Sequence, residues 1–286
     1  MIPTSWRVDA FGYTLGPLCS GSHREAMCLI LFAYRVVNDR PLIVAANRDE
    51  FYARPAAPAH AWLDAPGVFA GRDMKAHGTW LGVSTAGRFA AVTNFAEQRD
   101  GAAPPGSRGD LTRDFLRGRA SALAFARGID RDFYQGFSLL LWDGIDLVYT
   151  SNRTPGPVVL PAGVHALANT HLDGTWPKAV LGKALLSKAI AKPFGADDLL
   201  ALLGDATTPP DAELPSRGNA IDFERRVARI FIASTDYGTR ASTAVIFEPG
   251  RVQFVEQGFG PDGTRLGRVD EVRELEREPE RGQTRA

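Results

Sequence analysis

Residues 27–50, MCLILFAYRVVNDRPLIVAANRDE, decide the fold. CLILFAYRVV (28–37) is apolar almost throughout, so it reads as a strand buried on both faces. Asn38-Asp39-Arg40-Pro41 supplies turn formers, and LIVAA (42–46) reads as a second strand, giving an antiparallel hairpin. The polar burst Asn47-Arg48-Asp49-Glu50 is expected to end that strand.

Working outward, WLGVS (80–84) and FAAVTN (89–94) flank Thr85-Ala86-Gly87-Arg88 as another hairpin. FSLLLW (137–142), Asp143-Gly144 and DLVYT (146–150) make a third. A Pro/Gly-rich loop covers 102–109. Helical spacing follows over 110–127, with Leu111, Phe115, Leu116, Leu123 and Phe125 inward. VHALAN (164–169) reads as a strand. Trp176-Pro177 then starts a helix with Val180, Leu181, Ala184, Leu185 and Ile190 as its apolar face. A shorter helix is expected over 197–203, then strands ARIFIAS (228–234), STAVIF (242–247) and RVQFVEQ (251–257), with Asp236, Tyr237, Thr239 and Arg240 in a turn. Strand pairs alternating with helices define an α+β protein with antiparallel sheets, not a doubly wound parallel one.

The pattern switches on at Met27. Residues 1–26 carry no hydrophobic periodicity and no continuous apolar stretch of the secretory kind. They read as a mis-called start, a removable leader or a disordered extension. Residues 27–262 read as one domain, and 263–286 as a charged flexible tail.

Bulk properties exclude several functions. Lys plus Arg and Asp plus Glu are 33 each, so no net charge recruits nucleic acid or an anionic membrane. No apolar run reaches the ~20 residues of a membrane span. Two cysteines, Cys19 and Cys28, exclude a disulfide framework and a cysteine-rich metal site, and fit a reducing cytoplasm.

Cys28 carries the chemistry. Without Met27 it would bear both a thiol and an α-amine, whose usual pKa of about 7.7–8.0 leaves a neutral fraction at pH 7. Nucleophile and base then sit on one residue. Arg48 favours the thiolate, and Asn side chains suit a tetrahedral oxyanion. No metal or other cofactor is required.

Met27-Cys28-Leu29-Ile30, Asn47-Arg48-Asp49-Glu50, Gly71-Arg72-Asp73, Gly78-Thr79-Trp80-Leu81-Gly82, Thr93-Asn94-Phe95, Asn169, Trp176-Pro177-Lys178 and Tyr237-Gly238-Thr239-Arg240 together resemble the NRDE-motif family, that of transport and Golgi organisation protein 2. The resemblance implies an Ntn-hydrolase-like αββα four-layer sandwich with Cys28 in the nucleophile position. A more distant similarity, to choloylglycine and penicillin V acylases, implies a catalytic set of Cys28, Arg48, Asp49, Asn94, Asn169 and Arg240. Those acylases separate their Arg and Asp by two residues, whereas Arg48 and Asp49 are adjacent, and adjacent strand residues face opposite ways. The implied activity is an amidohydrolase or acylase acting on a small non-peptide amide or acyl compound. The other function implied is carriage, with haem or a lipid such as acyl-CoA as cargo in the same pocket.

Overall fold

The computed structural model describes residues 27–95, 104–214 and 220–276, together with the backbone of Arg7–Val8 (β1) and Thr14–Leu15 (β2). β1 and β2 pair with each other, antiparallel. The reading of residues 1–26 otherwise lies outside the described residues, as does 277–286.

The hairpin at 27–50 is present. β3 (Leu29–Val37) and β4 (Arg40–Phe51) turn through Asn38 and Asp39, and Asp39 takes the left-handed conformation that Asp tolerates, with φ +57°. They are neighbours in a six-stranded sheet with β12 (Gly163–Leu167), β13 (Tyr237–Glu248), β14 (Arg251–Phe259) and β15 (Arg265–Glu274), in the order β12-β3-β4-β13-β14-β15. A seven-stranded sheet runs β11-β10-β9-β8-β7-β6-β5. Its members are β5 (Ala56–Ala61), β6 (Val68–Asp73), β7 (Leu81–Ser84), β8 (Arg88–Asn94), β9 (Phe137–Trp142), β10 (Leu147–Ser151) and β11 (Val158–Val159). Every pairing between these strands is antiparallel.

Strand alternation sorts the side chains into three cores. Ile30, Phe32, Tyr34, Val44 and Ala46 meet Phe69, Leu81, Phe89 and Trp142 between the sheets. Leu29, Leu31, Ile43 and Ala45 face the other way, onto α3 (Pro177–Ile190), α4 (Ala196–Leu203) and α5 (Ile221–Val227) through Leu186, Leu199, Leu203 and Val227. Ala90, Val92, Leu139 and Leu141 cover the outer face of the second sheet against α1 (Arg108–Arg117) and α2 (Ala122–Arg127). The expected αββα four-layer sandwich is the observed architecture. β3 was readable as doubly buried because both its faces are covered.

Five local expectations are corrected. Asn47-Arg48-Asp49-Glu50 does not end β4; the strand runs to Phe51 and pairs with β13, which begins at Tyr237. Tyr237, Thr239 and Arg240 are therefore strand residues, with a bulge between Thr239 and Ala241. Residues 228–234 form no strand. Ile230 and Ile232 are buried, but the Ile230 carbonyl accepts from Asn47 Nδ2 and the Ile232 amide donates to Thr239 Oγ1. Side chains there take the place of a ladder. Along α3 the buried face is Lys178, Ala179, Gly182 and Leu186, whereas Val180 is 57% exposed. A Cβ on Gly182 would lie 2.7 Å from Leu31 Cδ2, so close approach to β3, not hydrophobicity, sets the phase of the helix. The tail expected from 263 is ordered through Glu274 as β15, an edge strand with exposed charges whose Val269 packs on the central core.

Asn47 ties the first sheet to its helices. Its Nδ2 donates to the carbonyls of Leu203 and Ile230 at 2.9 and 2.8 Å, and its Oδ1 accepts from Ser242 Oγ. Asn47→Leu strands these buried partners and is expected to cost about 2–4 kcal/mol, read as a lower urea midpoint at unchanged m-value.

Candidate functional site

A cavity of about 680 Å³ opens at one end of the sandwich, lined from both sheets and from the start of α1. Cys28 immediately precedes β3 and shares the parity of Ile30 and Phe32, which turns its side chain toward the opposite sheet. It lines the cavity while remaining buried, with Sγ 3.9 Å from the Asp49 carbonyl. Burial, reinforced by the Asp49 charge, pushes the thiol up to about 12; Arg48 and Lys178 act the other way but do not offset it. Attached to Met27, this thiol is unreactive.

Arg48 shares the parity of Val44 and Ala46 and reaches the cavity. Its nearest carboxylates, Asp73 and Glu50, are 3.9 and 4.0 Å away, and Asp73 is held more closely by Arg54 at 2.6 Å. Among the described residues the nearly buried Arg48 guanidinium makes no hydrogen bond, so its donors remain available to a ligand in the cavity. Asn94, at the end of β8, also lines the cavity. Its carbonyl accepts from Asn169 Nδ2 at 3.1 Å, while its side-chain amide makes no hydrogen bond among the described residues.

The other three expected residues take different places. Asp49 contributes to the cavity lining, but its wholly buried carboxylate turns to the helical layer, as alternation requires. There it accepts from Thr239 Oγ1 at 2.7 Å and lies 3.7 Å from Lys178 Nζ. β4 makes no turn between Arg48 and Asp49, so the two side chains do not converge. Asn169 is buried and outside the cavity lining; with Thr93 Oγ1, which donates to the Ala168 carbonyl, it ties the end of β12 to the end of β8 and so positions Asn94. Arg240 lines the cavity, but its Nη1 donates to the carbonyls of Phe51, Tyr52 and Arg54 at 3.0, 3.3 and 2.7 Å, clamping the chain after β4.

Three residues absent from the expected set gather behind Cys28. The Met27 amide donates to Tyr237 Oη at 2.7 Å, and Lys178 Nζ donates to the Met27 carbonyl at 2.5 Å. Thr239 completes the group through Asp49. The sequence held one signal for Lys178: a cation in the first turn after Pro177, where the helix dipole disfavours it.

Burial also pushes the Asp49 carboxyl up to about 7, against the opposing pull of Lys178 and Thr239. A raised carboxyl stabilises the fold fully below the unfolded value near 4, and that contribution is lost as pH rises through about 7. Wild-type stability relative to Asp49→Asn is therefore expected to decline between about pH 4 and pH 7, checked by urea melts at several pH values.

The family model described as Transport and Golgi organisation 2 matches residues 27–261. The chain belongs to this family. It is 36% identical over 265 residues to the Transport and Golgi organization protein 2 homolog of Bos taurus, covering 84% of this chain and 96% of the relative. The Homo sapiens homolog is 34% identical over 261 residues, covering 82% and 93%. Among solved structures the chain is similar to the Caenorhabditis elegans N-acylethanolamine-hydrolyzing acid amidase ortholog, at 14% identity and a TM-score of 0.48, covering 77% of this chain and 92% of that one. In this member of the Transport and Golgi organisation 2 family, Cys28, Arg48, Asp49 and Asn94 line the cavity, while Lys178 and Tyr237 lie behind it. Among the described residues no helix is long and apolar enough to cross a membrane.

Proposed function

We propose that the protein, once Cys28 is its first residue, is an amidohydrolase acting on a small non-peptide amide that carries an anionic group. The observation that supports this most is Cys28 on a cavity wall shared with two side chains, Arg48 and Asn94, whose donors make no hydrogen bond among the described residues. The α-amine of Cys28 takes the Sγ proton, and sulfur attacks the amide carbonyl carbon. Asn94 Nδ2 donates to the resulting oxyanion. The intermediate collapses to a thioester as the leaving nitrogen takes the proton back from the α-ammonium. Water, deprotonated by the same amine, then attacks the thioester carbon; the C–S bond breaks, the acid leaves, and the α-ammonium returns its proton to the Cys28 sulfur. Arg48 holds a carboxylate or similar anion of the substrate.

The lining favours a polar ligand over haem or an acyl chain. Arg48, Glu50, Asp73, Glu256 and Arg240 place several charges among apolar residues such as Trp80, Val92 and Phe259, and a purely apolar cargo would leave those charges unpaired.

The test is turnover of a panel of N-acyl amides, with and without a carboxylate, by protein verified by mass to begin at Cys28. The reading expects hydrolysis of carboxylated members, and Arg48→Met is expected to raise their KM about 10- to 100-fold with less effect on neutral ones. No turnover of any member would contradict it. Asn94→Ala is expected to lower kcat about 10²- to 10³-fold at little change in KM.

A further inference from the structure

The polar group behind Cys28 has no part in the scheme above, yet it is built with unusual specificity. Lys178 is 1% exposed and sits in the first turn of α3, against the helix dipole. Its ammonium is held 3.7 Å from Asp49 Oδ2 and 4.8 Å from the centre of the Trp176 ring, and it donates to the Met27 carbonyl. That carbonyl belongs to the peptide bond whose nitrogen becomes the Cys28 amine. The contact is 2.5 Å, and peptide geometry separates O from N by about 2.3 Å. Lys178 Nζ therefore lies within about 5 Å of the nitrogen that the proposed reaction uses as its base.

We propose that Lys178 is a positioning residue that keeps the Cys28 α-amine in its neutral form once Met27 is removed. The proposal rests on the amidohydrolase reading for its purpose, though not for its physics. A like charge at this distance disfavours the protonated amine, and the N-terminal end of α3 adds positive potential from the same side. The charged and titratable groups around Cys28 are Lys178 from α3, Asp49 and Arg48 from β4 and Tyr237 from β13, besides its own thiol. Asp49 acts as the counter-ion that allows a buried ammonium to persist beside the site. Its ionised form opposes Lys178, so the two substitutions carry opposite signs.

All four layers of the sandwich lie within 27–276, so the experiment uses a chain initiated at Met27 and trimmed to Cys28. Cys28 is then its sole cysteine, and a ¹³C,¹⁵N-cysteine label reports one site. NMR titration is expected to place the wild-type amine below the ordinary N-terminal range of about 7.7–8.0. Lys178→Met should raise it by about one unit or more, Lys178→Arg should keep it low, and Asp49→Asn should lower it further. An unchanged amine in a folded Lys178→Met protein overturns the proposal. If that variant does not fold, Asp49→Asn decides, and no fall overturns it. Wild type with a depressed amine but no amide turnover would overturn the amidohydrolase reading while leaving the role of Lys178 intact.

Discussion

Cys28→Ala is expected to lower amide turnover by about 10⁴-fold or more, because it removes the atom that bonds to substrate. The fold should survive. The change deletes one sulfur at the cavity edge, next to a strand whose packing begins at Leu29, and costs about 1 kcal/mol. Cys28→Ser keeps the α-amine and the shape but offers a far less acidic hydroxyl, so it should recover only a small part of the rate. Steady-state kinetics, with a urea melt on the same preparations, separate lost chemistry from lost structure. Full turnover by a folded Cys28→Ala protein would remove the nucleophile from the account.

The second large effect concerns Met27. With Met27 attached, the Cys28 nitrogen is an amide and cannot accept a proton, while burial holds the thiol up at about 12. Both halves of the nucleophile–base pair are then disabled. Protein retaining Met27 is expected to be slower than the trimmed protein by about 10²- to 10⁴-fold, the range associated with a lost general base. The Met27 backbone is held at both ends, by Tyr237 Oη and Lys178 Nζ, so the untrimmed chain should be no less stable. Kinetics paired with intact mass on the two forms check this, and equal rates would exclude the α-amine as base.

Most of the layered fold was legible because apolar periodicity reports burial directly. β3, β4, β8 and β9 coincide with runs whose faces are all buried. The errors along β4 and β13 have one cause: polar residues in strands. Asn47, Asp49, Thr239 and Ser242 are turn formers by type, yet here they pair inside two buried strands and hydrogen-bond one another across the ladder. β15 was missed for a related reason, since an edge strand can carry charge at alternate positions. At the site, Arg48 and Asp49 were both expected in the catalytic set; because β4 continues through them, their side chains face opposite ways. What no spacing could supply was Lys178, brought to Met27 from 151 residues away by the packing of α3 on β3. Arg240 lines the cavity, but the three backbone carbonyls that it holds depend on where the chain turns after Phe51.

The central claim is that Cys28 forms a covalent bond to an acyl carbon. Protein beginning at Cys28 should be mixed with a slowly deacylating N-acyl substrate, quenched in acid and digested. The account predicts one peptide, that starting at Cys28, heavier by the acyl group through a thioester that hydroxylamine removes. It also predicts no such mass when Met27 is retained. Hydrolysis of the amide with no acyl group on Cys28 at any quench time, or an acyl group found on another residue, would contradict it.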